Sequence, residues 1–190
     1  MQPGCKHPST ASNKQEITFS TFSFAVSKTF TIFAGNMERE PVFKYQKQID
    51  ELLALGCQLP ELFVPDNMEA CRFAFSGEGH QNHVPQYMSH PKRMLQDIHN
   101  GKVNTSLLAL SCFATTEKAE TFYANLRKAF KNVDISIGDS LSEGKLSNED
   151  GRKTTTSSNG HFDFYEYEGC DLNKSFQITK NLIAKDYEKG

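Results

Sequence analysis

The chain of 190 residues has no tryptophan and lacks the motifs that mark several classes of protein. It has no CxxC pair, no long basic run, no glycine-rich nucleotide loop and no repeat of the length found in solenoid proteins. Its net charge is −2, so the balance of charge favours neither nucleic acid nor an anionic membrane surface as a partner. These absences leave a small globular protein that is either a binding module or an enzyme without an obvious signature.

The five cysteines are odd in number and widely spaced along the chain. They are Cys5, Cys57, Cys71, Cys112 and Cys170. This spacing argues against a disulfide framework and against a structural zinc ribbon. We therefore expect a reducing compartment and a cytoplasmic location.

The first 36 residues differ in composition from the rest. Residues 1–16 are polar, and residues 17–33 alternate apolar side chains with Ser and Thr. The apolar stretch is interrupted by Lys28, which makes it a poor membrane span, and it starts too late for an ordinary signal peptide. We expect residues 1–36 to be a leader or a flexible arm, and residues 37–190 to form a single α+β domain.

The centre of the chain predicts a strand, a helix and a second strand. Residues 106–113 form a short apolar run, and residues 133–137 alternate apolar with polar side chains. Between them, residues 115–132 place apolar side chains at the spacing of one helix face. That face comprises Ala119, Phe122, Tyr123, Leu126 and Phe130. We expect a right-handed parallel crossover over residues 106–137.

Further elements flank this central unit. Residues 44–55 and 91–100 have helical patterns, and residues 161–168 and 175–178 have strand patterns. Residues 68–75 fit a capped helix or an alternating strand equally well. The predicted fold class is α+β, with a mostly antiparallel sheet of about four to six strands and two or three helices packed on one face.

A loop over residues 76–91 contains three histidines. His80 and His83 have zinc-ligand spacing, with His90 and Glu78 nearby, but no cysteine or His-Glu helix pattern completes a site. We predict no metal centre, and we predict that His80 and His83 belong to the rim of a binding pocket, since binding groups concentrate on loops.

The strand that begins at His161 offers a second set of polar candidates. His161, Asp163 and Tyr165 alternate along it, so we expect them to share one face and to line a polar pocket beside the loop 76–91. A neighbouring carboxylate is expected to keep the proton on His161 to higher pH. Two interpretations of His161 remain open: it binds a ligand or partner, or it only holds the Asn159–Gly160 turn.

The order of motifs over residues 106–178 resembles that of ADP-ribosyltransferases. A strand is followed by Thr115, Thr116 and a helix, and much later Glu166-Tyr167-Glu168 precedes a closing strand at 175–178. In that family a strand ending in Ser or Thr precedes a helix, and a late Glu-x-Glu precedes the final strand. The Ser-Thr-Ser triplet of the family is replaced here by Ser111-Cys112-Phe113.

The resemblance implies a set of catalytic roles. Glu168 would stabilise charge on the nicotinamide ribose, and Ser111 would help to hold that ribose. Glu166 would interact with the acceptor of the ADP-ribose group. Arg72 is the candidate for the cation that the family places on its first strand. The implied activity is an NAD-dependent transfer of ADP-ribose, with NAD as the cofactor.

The residues themselves favour a different function. We expect a protein-binding accessory or immunity-like module without a cofactor, whose partner is another protein rather than nucleic acid or a membrane. Tyr87, Tyr165 and Tyr167 lie next to charged residues, and aromatic side chains are enriched at interfaces, so we expect them to be exposed. The NAD-dependent transferase is the alternative.

Overall fold

The computed structural model describes residues 41–183, and the expectations about residues 1–36 lie outside this range. Within it, six strands form one antiparallel sheet, which confirms the predicted α+β class. Within the segment 68–75, for which helix and strand were both open, residues 68–74 form a strand. The strands are β1 (Met68–Ala74), β2 (Leu110–Phe113), β3 (Ser140–Leu146), β4 (Gly151–Lys153), β5 (His161–Glu166) and β6 (Phe176–Asn181).

The helices are short except for the one that follows β2. That helix begins after Thr115, whose side chain accepts a hydrogen bond from the Lys118 amide, and Glu117 lies in its first turn. A 3₁₀ turn, Thr105–Leu108, precedes β2. The α-helices in the described range are α1 (Gln46–Ala54), α2 (Gln86–Ser89), α3 (Pro91–His99), α4 (Thr116–Ala129), α5 (Val133–Ile137) and α6 (Leu172–Ser175).

The strand order is β4-β5-β2-β1-β3-β6. β1 pairs with β3 along its whole length, from Met68 opposite Leu146 to Ala74 opposite Ser140. β2 pairs with β5, with Ser111 opposite Asp163 and Phe113 opposite His161. Because opposed residues in an antiparallel pair project to the same side, this register decides which side chains meet.

Apolar side chains are buried on both faces of the sheet. On one face, which we call the α4 face, Cys71, Phe113 and Leu141 pack with Ala119 of α4. On the opposite face, the largest fully buried side chains include Leu110, Phe162 and Phe164. A third cluster joins α1 and α3 to Tyr165 of β5 through Ile49, Leu52, Met94 and Leu108.

The predicted parallel crossover is wrong in its last part. Residues 133–137 form helix α5, whose end is closed by the Gly138 amide bonding to the Asp134 carbonyl, and Ile135 is 73% exposed. The chain returns to the sheet at β3, with β1 lying between β2 and β3. Both β2 and β3 are antiparallel to β1, so α4 connects two strands that run in the same direction without being neighbours.

The helix face predicted for α4 is correct except at its end. Ala119 and Tyr123 are buried, and the Tyr123 hydroxyl donates to the Gly138 carbonyl at 2.9 Å. Phe122 is half-buried, with ring centroids 5.2 Å from Phe113 and 6.4 Å from Phe73. The helix ends at Ala129, so Phe130 leaves the apolar face and is 64% exposed.

Two substitutions on this segment test the packing. Phe122→Ala removes a ring that contacts the sheet, and we expect it to lower the free energy of unfolding by about 2–3 kcal/mol. Phe130→Ala removes the same side chain from an exposed position, and we expect a change within about 0.5 kcal/mol. Urea denaturation of both variants measures the difference; equal effects would mean that α4 does not cover the sheet through Phe122.

Candidate functional site

An open cleft of about 290 Å³ lies on the α4 face, where the β4–β5 hairpin meets the segment that follows α1. This volume is at the small end of the range for ligand pockets, which suits one side chain or a small molecule. The lining residues, to which we refer together as the His161 cleft, are Pro60, Glu61, Thr154, Thr155, Ser157, His161 and Asp163.

The hairpin holds the cleft residues through backbone bonds. The Thr154 amide donates to the Asp163 carbonyl, and the Asp163 amide donates to the Thr154 hydroxyl, each at 2.9 Å. At the turn, Gly160 adopts φ +84° and its amide bonds to the Ser157 carbonyl. The Asn159 side chain accepts from the His161 amide. Because these bonds to His161 use its backbone, its imidazole is left for other contacts.

Three polar side chains meet beside the cleft. The Ser111 hydroxyl lies 2.7 Å from Nε2 of His161, and an Asp163 carboxylate oxygen lies 3.9 Å from the same nitrogen. The strand register explains this meeting, since Ser111 opposes Asp163 and Phe113 opposes His161 on one face. The Phe113 ring contacts the imidazole edge-on at 5.4 Å.

Burial decides the protonation of this group. It raises the pKa of Asp163 from an ordinary 3.8 to about 6, and it lowers the pKa of His161. At 3.9 Å the carboxylate is too far from Nε2 for a hydrogen bond, so it does not offset the desolvation of the imidazole. The expectation that Asp163 keeps the proton on His161 to higher pH is therefore wrong.

The arrangement has part of the geometry of a nucleophile and its base. A serine hydroxyl within hydrogen-bond distance of an imidazole that loses its proton readily can transfer its own proton to that ring. In a catalytic triad, however, the carboxylate bonds the other ring nitrogen and orients the imidazole. Here Asp163 approaches the same nitrogen as Ser111, so it does not supply that orientation.

A second polar group, the Arg72 cluster, lies on the opposite face and consists of Lys44, Arg72, His83 and Glu166. Lys44 bonds the Glu166 carboxylate at 3.1 Å, and Nη1 of Arg72 donates to Nδ1 of His83 at 3.1 Å. The Glu166 side chain is 1% exposed. Within residues 41–183, Nε of Arg72 and Oε2 of Glu166 are buried without a hydrogen-bond partner.

The pKa shifts in this cluster follow from burial. Burial raises the pKa of Glu166 against the attraction of Lys44, and it lowers the pKa of Arg72. Burial and the Arg72 charge together lower the pKa of His83 to about 4, so His83 is neutral and accepts the Arg72 hydrogen bond. The cluster is a hydrogen-bonded core group, and none of its four residues lines the His161 cleft.

The residues expected for a transferase site are not brought together. Cys71 opposes Phe113, so Arg72 projects to the face opposite Ser111. Glu166 projects to the Arg72 side, and Glu168 is exposed beyond the end of β5. The resemblance to ADP-ribosyltransferases therefore stays a prediction from the sequence, without support from the placement of these residues.

Other predicted site residues also differ in their surroundings. His161 and Asp163 line the cleft as expected, but Tyr165 is buried among the α1 and α3 side chains. His80 is exposed and stacks on Phe75 at 4.6 Å. His83 is buried, and the loop 76–91 contributes nothing to the cleft lining.

The prediction that tyrosines are exposed for partner binding is wrong at all three positions. Tyr87, Tyr165 and Tyr167 are buried, and the Tyr87 hydroxyl donates to Asp97 at 3.0 Å. Tyr167 stacks on Phe43 at 5.3 Å, where residues 42–44 pair with the chain just beyond β5. These aromatic rings therefore stabilise the fold rather than a binding surface.

Several cleft residues were missed in the sequence. No role was predicted for Thr154, Thr155, Ser157, Pro60 or Glu61, all of which line the cleft. The signal that could have found them is the run of hydroxyl residues directly before a strand that starts with His-x-Asp. Nothing in the sequence indicates that Pro60 and Glu61 lie beside it.

Comparisons with known proteins add no relative. No protein-family model, no curated protein and no solved structure matches this chain. Across residues 41–183, no group of three or more His, Cys, Asp or Glu side chains is arranged to hold a metal ion. In the same range, no helix is long and apolar enough to cross a membrane.

The cost of burying Asp163 can be measured as a pH-dependent stability. The pKa of Asp163 is raised in the folded state, so its ionisation destabilises the fold. This destabilisation is absent below about pH 4 and complete above about pH 6. We expect Asp163→Asn to raise the free energy of unfolding by about 1–3 kcal/mol at pH 7.5 and to leave it nearly unchanged at pH 4.

Chemical denaturation at the two pH values measures this effect. The matched control is Asp50→Asn, at an exposed carboxylate on α1 that bonds Gln46 at 2.8 Å. Two results would contradict a destabilising effect of burying the Asp163 carboxylate. One is a gain in stability for Asp50→Asn as large as that for Asp163→Asn, and the other is a loss of stability for Asp163→Asn at pH 7.5.

Replacing the two glutamates of the Glu-x-Glu motif is expected to affect stability to very different extents. Glu166→Ala leaves Lys44 without its carboxylate and should lower the free energy of unfolding by about 2–4 kcal/mol. Glu168→Ala changes an exposed side chain and should have an effect within about 0.5 kcal/mol. Thermal and urea unfolding measure the stability of both variants. If both lost the same free energy of unfolding, the conclusion that only Glu166 has a structural role would be wrong.

Proposed function

We propose that this protein acts by binding another protein and that the His161 cleft receives one side chain of the partner. The observation that carries the proposal is a pair of largely buried titratable side chains, His161 and Asp163, at an open cleft. Burial makes the ionised form of the Asp163 carboxyl unfavourable. Titratable groups whose pKa values are shifted in this way cluster at functional sites.

The size and openness of the cleft support a protein partner. A volume of about 290 Å³ accommodates a single long side chain, and the cleft is open rather than enclosed. The segment next to Pro60 and Glu61 adds exposed apolar surface at Phe63 and Val64, which are 40% and 49% exposed. A polar pocket that takes one anchoring side chain, flanked by apolar surface, is a common arrangement at protein interfaces.

A second candidate function is acyl transfer from a small ester, and the 2.7 Å contact between Ser111 and His161 favours it. The Ser111 oxygen would attack the acyl carbon as its proton passes to Nε2 of His161, which then protonates the departing alcohol. Water would next attack the acyl-serine, giving a proton to His161 and releasing the carboxylic acid as Ser111 regains its proton. A fluorophosphonate probe that labels the wild-type protein but not Ser111→Ala would support this function. We favour binding because Asp163 does not orient the imidazole through its other nitrogen.

The binding proposal is tested with a pair of histidine substitutions. His161→Ala removes a ring that lines the cleft, whereas His80→Ala removes an exposed ring outside it. We expect His161→Ala to weaken binding of the partner by about tenfold or more, with a melting temperature within about 3 °C of wild type. His80→Ala should bind as the wild type does.

The measurement begins with affinity capture from the native host by the wild-type protein and both variants. A partner retained by the wild type and by His80→Ala, and lost by His161→Ala, is then purified and its affinity measured by calorimetry. Identical sets of captured proteins for all three forms would overturn the proposal that this cleft is the binding site.

A further inference from the structure

We propose that the His161 cleft is selective for a cationic group and receives a lysine ammonium or an arginine guanidinium of the partner. This inference rests on the proposed function, since it names the chemistry of the side chain that the cleft binds. It is drawn from the charges and hydrogen-bonding groups of the lining residues, and from what is missing around Asp163 in the part of the chain that the structure describes.

The lining is rich in hydrogen-bond acceptors. Glu61 and Asp163 supply two carboxylates, and Thr155 and Ser157 supply hydroxyl oxygens that can also accept. Among the residues that the structure describes, no lysine or arginine lines the cleft. An anionic ligand would therefore meet like charges, whereas an ammonium or a guanidinium, which has only donors, would satisfy these acceptors.

Among residues 41–183, no lysine or arginine forms an ion pair with the Asp163 carboxylate. Its side chain is 15% exposed, and the one titratable side chain paired with it in this range is His161, at 3.9 Å. Burial raises the pKa of Asp163 to about 6 and lowers that of His161, so near neutral pH the carboxylate is charged and the imidazole is not. A cation placed in the cleft would supply the missing attraction.

Two lysines on elements next to the cleft, Lys118 and Lys153, form their contacts elsewhere. Lys118 of α4 donates to the Ser158 carbonyl at 3.2 Å, outside the cleft. Lys153 of β4 donates to the Thr154 carbonyl at 3.1 Å and lies over the Phe162 ring, on the opposite face of the sheet. Neither side chain lines the cleft, so neither neutralises Asp163.

A bound metal ion is a poorer fit than an organic cation. Metal sites need several ligands that converge at short distances, and the described residues contain no group of three or more such ligands. A lysine or arginine side chain needs fewer contacts, and its apolar stem can pack against Pro60 while its charged end reaches Asp163. The volume of the cleft agrees with a side chain of this size.

The test uses small amides of single amino acids as probes, observed by ¹H–¹⁵N NMR of the full-length protein. The cationic probes are Nα-acetyl-lysinamide and Nα-acetyl-argininamide, and the neutral probe of similar shape is Nα-acetyl-norleucinamide. We expect the cationic probes to shift the amide signals of residues 154–163 with a Kd of about 1–10 mM at pH 7.5. The neutral probe should shift them at least about tenfold less strongly.

Substitution and pH then assign the effect to Asp163. We expect Asp163→Asn to weaken the cationic probes by about tenfold, and Asp50→Asn to leave them unchanged. Binding should also weaken between pH 7.5 and pH 5, because Asp163 gains a proton and His161 becomes easier to charge; Glu61 is the other titratable group that faces the probe. Equal binding of the norleucine probe, or no shift at residues 154–163, would overturn the inference.

The outcomes separate this inference from the proposed function. If a protein partner depends on His161 but the cationic probes do not bind, the cleft is a protein-binding site with a different specificity. If the probes bind through Asp163 but His161→Ala does not weaken the binding of any partner, the cleft is selective for cations and the proposal that it binds a protein is wrong.

Discussion

The alternation of side chains along β5 is the constraint on which both polar groups depend. Because successive residues of a strand project to opposite faces, β5 sends His161 and Asp163 towards α4 and sends Phe162, Phe164 and Glu166 to the other side. A slip of one residue in its pairing with β2 would place two phenylalanines in the cleft and bury a histidine and an aspartate in the apolar cluster. The register of this strand pair thus fixes the core and the candidate site together.

The two polar groups on β5 differ in how their charge is satisfied. Glu166 is buried more deeply than Asp163, but it bonds Lys44 at 3.1 Å and lies near Arg72. Asp163 has a neutral imidazole as its neighbour and borders a cleft. A paired buried charge is costly to disrupt and thus contributes to the structure, whereas an unpaired one costs stability until a ligand supplies the counter-charge. This difference is why the proposed binding site is at Asp163 and not at Glu166.

The fold was predicted best where a segment is long or strongly patterned. Helix α4 and strand β5 were expected from periodicity, and both are present. The segment 133–137 was misassigned because a five-residue stretch with alternating apolar side chains fits a strand and a helical turn alike. Its helical form is set by its surroundings: Val133 is buried, Ser136 bonds back to the Asn132 carbonyl, and Gly138 takes φ +114° against the backbone of Ala74.

The sequence alone determined the α+β class, the antiparallel character of the sheet and the sharing of one strand face by His161 and Asp163, since these follow from local periodicity. Only the tertiary structure decided that Ser111 meets His161, that Arg72 and His83 turn to the other face, and that Pro60 and Glu61 complete the cleft. Those meetings join segments tens of residues apart, and they depend on strand order and register, which local patterns do not encode. The protonation of Asp163 and His161 was decided in the same way, because desolvation depends on what the rest of the chain packs around them.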